Sequence, residues 1–102
     1  MSEITRFRDE RDWEQFHNSK DLALAISIEA AELNELFLWK NANEADVREI
    51  KSELADILTF SFLLAHKHGL HIGDVILEKL KESAEKYPVD KAKGNARKYK
   101  EL

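Results

Sequence analysis

The chain has 102 residues, with no cysteine, one proline, three glycines and a formal net charge of −4. That length suits one domain, 1–102, with a modest core. Without cysteine there are no disulfides and no thiolate chemistry, in keeping with a reducing, cytoplasmic setting, and a mildly acidic chain is a poor general binder of nucleic-acid polymers. The start, "MSEITRFRDERDW", lacks the apolar stretch of a signal peptide. The longest strongly apolar run, "ILTFSFLLA", is far short of the roughly 20 residues a spanning helix needs. No membrane partner is expected.

Scarce glycine and proline, with few β-branched runs, predict an all-α chain of four helices. The first is expected over residues 4–16. The second starts at Asn18 or Ser19, either of which can cap it, and runs to Lys40. The third is expected to begin at "NEAD", with Asn43 as cap and Asp46 in the first turn. It stops before Gly69, a left-handed terminator, with His66, Lys67 and His68 in its last turn. These histidines and His71 read as helix-end groups rather than catalysts. The fourth helix is expected over Ile72–Tyr87, closed by Pro88. The tail "VDKAKGNARKYKEL" is basic: residues 1–80 carry 9 basic and 16 acidic residues, and residues 81–102 carry 7 and 4. Helices two and three are also apolar on their far faces, at Leu24, Ala31, Leu38, Ala55 and Phe62. A helix apolar all round must be buried all round, which predicts an oligomer.

Four carboxylates break the pattern. On a wheel of about 100° per residue, Leu22, Ala25, Leu33 and Leu36 fall within about 40° of Glu29, and Glu32 lies about 60° away. Glu53 and Asp56 share a face of helix three with Ile57, Phe60 and Leu64. A short connection makes the two helices antiparallel neighbours. At about 1.5 Å per residue the two acidic pairs then differ in height by about 3 Å. One such pair on a helix is ordinarily a solvated face; two pairs, level and on apolar faces, are not explained that way. Bare carboxylates lose hydration and repel each other in an apolar groove, so they take up protons or a multivalent cation. Oxygen-only ligands favour Mg²⁺, with Mn²⁺ as substitute, and Mg²⁺ commonly shares its shell with substrate phosphates. A dinuclear iron bundle wants Glu-x-x-His on two helices; here that spacing occurs once, at Glu14 and His17.

Glu29-x-x-Glu32, a 20-residue spacer and Glu53-x-x-Asp56 resemble the MazG-like all-α nucleoside triphosphate pyrophosphohydrolases over nearly the whole chain. "RDWEQFH", "ELFLWK" and "KYPVDKAKGNARKYKEL" look most like the dCTP pyrophosphatase branch. The resemblance implies a four-helix MazG-like bundle. It implies Mg²⁺-dependent cleavage of a nucleoside triphosphate, dCTP or a modified pyrimidine dNTP, to monophosphate and pyrophosphate as a house-cleaning reaction. Glu29, Glu32, Glu53 and Asp56 are then the metal-binding and catalytic set, and water attacks the α-phosphorus. Trp13 and Trp39 match aromatics around the base, where stacking is worth about 1–3 kcal/mol. His17 follows Trp13 at helical spacing and lines the same pocket. The branch has a tyrosine at Phe60 and a histidine at Ile4, and often an asparagine at Ser83. The first two departures remove hydrogen-bonding groups from the base or sugar pocket and loosen any strict dCTP preference. Lys86, Arg97 and Lys98 are the implied triphosphate contacts. A homotetramer, a dimer of dimers with shared sites, is the implied assembly. The alternative is a non-catalytic nucleotide-binding or regulatory helical module.

Overall fold

The structure, a computed structural model, describes residues 2–97 and Lys100, so Lys98 lies outside the described residues. It contains α1 (Glu3–Glu10), a 3₁₀ turn (Glu14–Phe16), α2 (Ser19–Glu35), α3 (Val47–Lys67), α4 (Ile72–Lys86) and a short α5 (Val89–Ala92). No strand occurs among the described residues, and the all-α expectation holds. Two compact units are present, one ending at Gly69 and one beginning at Leu70.

In the first unit, Ser2 caps α1 by accepting from the Thr5 N–H. The helix stops at Glu10, well short of the predicted residue 16. The stop is a left-handed turn at Asp12, φ 54°. The Asp12 N–H donates to the Asp9 carbonyl (3.0 Å) and the Trp13 N–H to the Arg8 carbonyl (3.1 Å). This is the Schellman pattern with aspartate where glycine is usual. Asp tolerates the left-handed region better than most residues. The apolar contact that accompanies such a stop is present as well: Phe7 meets the Trp13 ring edge-on at 5.7 Å. Arg11 lies 3.7 Å above the Phe7 ring and fixes its orientation further.

Asn18 caps α2, its side chain accepting from the Asp21 N–H at 2.8 Å while its amide donates to the Asp21 carboxylate. The helix ends at Glu35 rather than Lys40. Beyond it the N–H groups of Leu36, Phe37 and Leu38 each donate three residues back, and Trp39 is left-handed at φ 63°. The last α-turn has tightened into successive short turns. The third helix begins at Val47, not near Asn43, because Asp46 accepts from the Arg48 N–H at 2.9 Å and takes the cap. Asn43 lies before it in a turn closed from Glu44 N–H to Asn41 carbonyl. Gly69 provides the expected left-handed stop, φ 67°.

α2 lies along α3 and α1 packs on α3. Ser19 Oγ and His68 Nε2, 2.8 Å apart, tie the start of α2 to the end of α3, as antiparallel packing requires. Among the described residues the buried apolar side chains are Leu22, Leu63 and Ala65, joined by Thr5 and Arg8 from α1. Against that small core, Leu24, Ile28, Leu54 and Leu58 remain exposed.

In the second unit, His71 caps α4 by accepting from the Asp74 N–H. The helix ends at Lys86, one residue before the expected Tyr87, and Pro88 opens α5. Ile76, Leu77 and Leu80 are exposed along α4.

Candidate metal and nucleotide site

Glu29 is carried by α2, and Glu53 and Asp56 by α3. One carboxylate oxygen from each lies within 4.8 Å of the other two. Glu29 and Glu53 are half-buried, while Asp56 and Glu32 are exposed. Glu32, expected to converge with the other three, is outside the three-oxygen group: its offset of about 60° from Glu29 is enough to leave it exposed. Its charge still acts on the others. Burial first, then hydrogen bonding and charge from Glu32 and the charge of Asp56, pushes the Glu29 carboxyl up from its ordinary 4.5 to about 7. Burial and the Glu32 charge also push Glu53 up, with Asp56 adding to it.

Glu29 Oε2 and Glu53 Oε2 are both buried with no hydrogen-bond partner. An uncompensated buried carboxylate oxygen is expensive. Converging oxygen-only donors, proton affinities raised by burial and by neighbouring carboxylates, and two orphaned oxygens all fit a hard divalent cation. The fit is to the class of ion, and the three residues named are the ones that would hold it.

Beside the acids lies a cavity of about 520 Å³. Ile4 and Phe7 line it from α1, Trp13 and His17 from the following loop, and Asp56, Thr59, Phe60 and Leu63 from α3. The Schellman stop explains how Trp13 gets there: had α1 continued, residue 13 would point elsewhere on the helix. Thr59 donates its hydroxyl to the Ala55 carbonyl (2.7 Å) and keeps its acceptor capacity. The walls are aromatic and aliphatic over most of their area, the character of a ligand pocket. Asp56 belongs both to the acid group and to this cavity.

The other expected substrate contacts lie on other segments. Trp39 is 99% exposed, on the turns after α2. Lys86 and Arg97 belong to the second unit; Lys86 faces Glu82 at 3.7 Å, and the Arg97 backbone N–H donates to Asn95. Sequence reasoning missed Arg8 and Thr59 as cavity walls. Arg8 is surrounded by charge in "FRDERD" and reads as solvated, yet it is 9% exposed. The segment after the early stop brings Glu14 to 3.5 Å from its guanidinium, and glycine, the usual signal for such a stop, is absent from that segment.

Comparison with known proteins gives a consistent assignment. A sequence profile described as the MazG-like family matches residues 24–102. The chain is 38% identical over 104 residues to human dCTP pyrophosphatase 1 and 35% identical to the mouse protein of that name. Each alignment covers 94% of this chain and 61% of the relative, so the chain spans about three-fifths of their length. The crystal structure of a pyrophosphatase from Archaeoglobus fulgidus superposes with a TM-score of 0.78 at 33% identity. That match covers 83% of this chain and 85% of the other.

Proposed function

The chain belongs to the MazG-like family, and we propose that it is a Mg²⁺-dependent nucleoside triphosphate pyrophosphohydrolase. Its substrate is dCTP or a modified pyrimidine dNTP, and its products are the monophosphate and pyrophosphate. The observation that carries this reading is the double membership of Asp56, which joins an acid cluster suited to a cation to a cavity suited to a base. The relatives named dCTP pyrophosphatase support the substrate class.

In this reading Glu29, Glu53 and Asp56 hold the cation, and Glu32 completes the set from its exposed edge. The bound cation neutralises charge on the transferring phosphoryl group and lowers the pKa of water. Trp13 and Phe60 flank the base, His17 closes the far wall, and Asp56 fixes how far the base lies from the acids. The water oxygen bonds to the α-phosphorus, the bond from that phosphorus to the bridging oxygen breaks, and pyrophosphate leaves. The water proton passes to a carboxylate of the set. Lys86, Arg97 and Lys98 supply cationic contacts to the triphosphate. The test is a product assay with Mg²⁺ and each common dNTP and NTP, resolved by ion exchange. Monophosphate with pyrophosphate is the expected pair. Diphosphate with phosphate would place cleavage at the wrong bond, and bound but intact nucleotide would favour a regulatory module.

The same reading includes a homo-oligomer, a tetramer built as a dimer of dimers, working in the cytoplasm. Among the described residues, three buried apolar side chains are a small core beside the exposed Leu24, Ile28, Leu58, Ile76, Leu77 and Leu80. Burial at about 25 cal/mol per Å² gives these faces reason to pair. Trp39 then contributes to the base pocket within the assembly. Among the described residues no helix is long and apolar enough to cross a membrane. Sizing with light scattering should give a multiple of the 11.8 kDa chain; a monomer at micromolar concentration would refute the assembly.

A further inference from the structure

We propose that a second cavity, which shares His17 as a wall with the aromatic one, is a binding site for a small phosphate-type oxyanion, separate from the nucleotide site. The cavity holds about 210 Å³, and its lining is mainly polar, with Arg8, Glu14, His17, His66 and Lys67 around it. The inference does not depend on the nucleotide reading, and a failure to cleave triphosphates leaves it standing.

The charged groups sort into those already engaged and those that are not. Arg8 is engaged: Nε donates to Asp9 at 2.8 Å, and Nη2 lies 2.8 Å from Asp9 and 3.5 Å from Glu14. The same contact occupies Glu14, the carboxylate of the lining. Lys67 and two imidazoles are left over. Among the described residues, the Lys67 ammonium has no carboxylate partner and no ring nitrogen of His17 or His66 is hydrogen-bonded. His66 is held by its ring face alone, stacked with Phe62 at 6.0 Å between centroids. His17 Nδ1 is also buried, and a buried polar atom without a partner is rare. The last torsion of a histidine side chain is soft, so a modest turn of the ring presents an N–H to an oxygen in the cavity. Three sets of donors, one of them a permanent cation, thus border a space short of acceptors. A compact oxyanion supplies several acceptors at once, with charge-assisted bonds to lysine.

Two other accounts fit less well. A metal ion shared by His17, His66 and Glu14 would need their donor atoms close together. Among the described residues, the three-donor group that meets this condition is Glu29, Glu53 and Asp56. His66 and Lys67 also lie in the last turn of α3, where basic groups offset the helix-end charge. The start of α2 already lies beside that end, joined through Ser19 and His68 at 2.8 Å, and its partial charge has the opposite sign. Lys67 comes eleven residues after Asp56, about 16 Å along α3, so an anion at Lys67 is not one held at the acids.

The test follows the imidazole signals of the four histidines by NMR. Orthophosphate and pyrophosphate are titrated separately into the whole 102-residue chain, at fixed pH and ionic strength. Orthophosphate should move the His17 and His66 signals saturably, with or without Mg²⁺. The His71 signal, from a ring 3.6 Å from Asp74 and outside the cavity lining, should stay in place. Lys67 is exposed, so Lys67→Met should fold, and it should weaken orthophosphate binding at least about tenfold. Lys81→Met, which removes a lysine outside the lining, should leave the affinity unchanged. Signals that do not saturate, a His71 signal moving in step with His17, or binding seen only with Mg²⁺ would each overturn the proposal. So would a Lys67→Met chain that binds as well as Lys81→Met. A tighter hold on pyrophosphate would identify the occupant as the leaving group of the proposed reaction. A tighter hold on orthophosphate would identify it as free phosphate, and either result supports the site.

Discussion

Glu53→Gln should abolish triphosphate cleavage, lowering kcat/KM by at least about a hundredfold, while nucleotide still enters the aromatic cavity. The substitution keeps the size of the side chain and removes one negative charge from a group whose oxygens lie within 4.8 Å of each other. A cation there loses one of its half-buried ligands, and the transferring phosphoryl group loses the neutralisation that the cation provides. Glu53 does not line the cavity, so base contacts with Trp13 and Phe60 should persist. The check is paired: product formation by ion exchange, and tryptophan fluorescence titration with a dCTP analogue carrying a non-hydrolysable α,β-imido link. Activity within a few-fold of wild type would remove the acid cluster from the mechanism. Without a divalent cation, the same variant should melt higher than wild type near neutral pH, because the removed charge is one that repels its neighbours.

The second large effect is a crossing of pH and cation dependence. In the folded chain the Glu29 carboxyl takes up its proton at about pH 7, against an ordinary 4.5. Between those values the folded state binds more protons than the unfolded one. The contribution of Glu29 to stability is therefore fully present below its ordinary value and is lost as pH rises through about 7. The raised Glu53 carboxyl works in the same direction. Cation and proton compete for these oxygens. Stabilisation by millimolar Mg²⁺ should thus be small near about pH 5 and grow through neutrality. Melting curves with and without Mg²⁺ across that range test this, with Glu29→Gln as reference. The reference should show a flatter decline without the cation and a weaker response to it. A wild-type chain whose cation-free melting temperature, relative to Glu29→Gln, did not fall with rising pH would contradict the raised proton affinity.

The convergence of Glu29, Glu53 and Asp56 was legible because it depends on two periodicities alone, the angle and the rise of a helix. Glu32 departs from that reading: the wheel groups it with Glu29 on the inward face, whereas it is exposed and outside the three-oxygen group. The ends of α3 and α4 were legible where glycine or proline marked them. The early ends of α1 and α2 were not, because the left-handed residues are Asp12 and Trp39, and neither residue type announces such a conformation. That single omission had consequences for the site. A helix read through residue 16 gives Arg8 a solvated place, whereas the observed turn brings Trp13 back over Phe7 and encloses Arg8. The start of α3 was misplaced for a simpler reason: Asn43 and Asp46 are both good caps, and only the backbone geometry decides between them.

The position of Asp56 has a consequence of its own. On the proposed function it serves two neighbouring sites and makes their occupancies interdependent, and the dependence is symmetric: whatever factor the ion contributes to nucleotide affinity, the nucleotide returns to the ion. On that reading, at the scarce end of either one's concentration range the other helps set how much of the protein is ready to act.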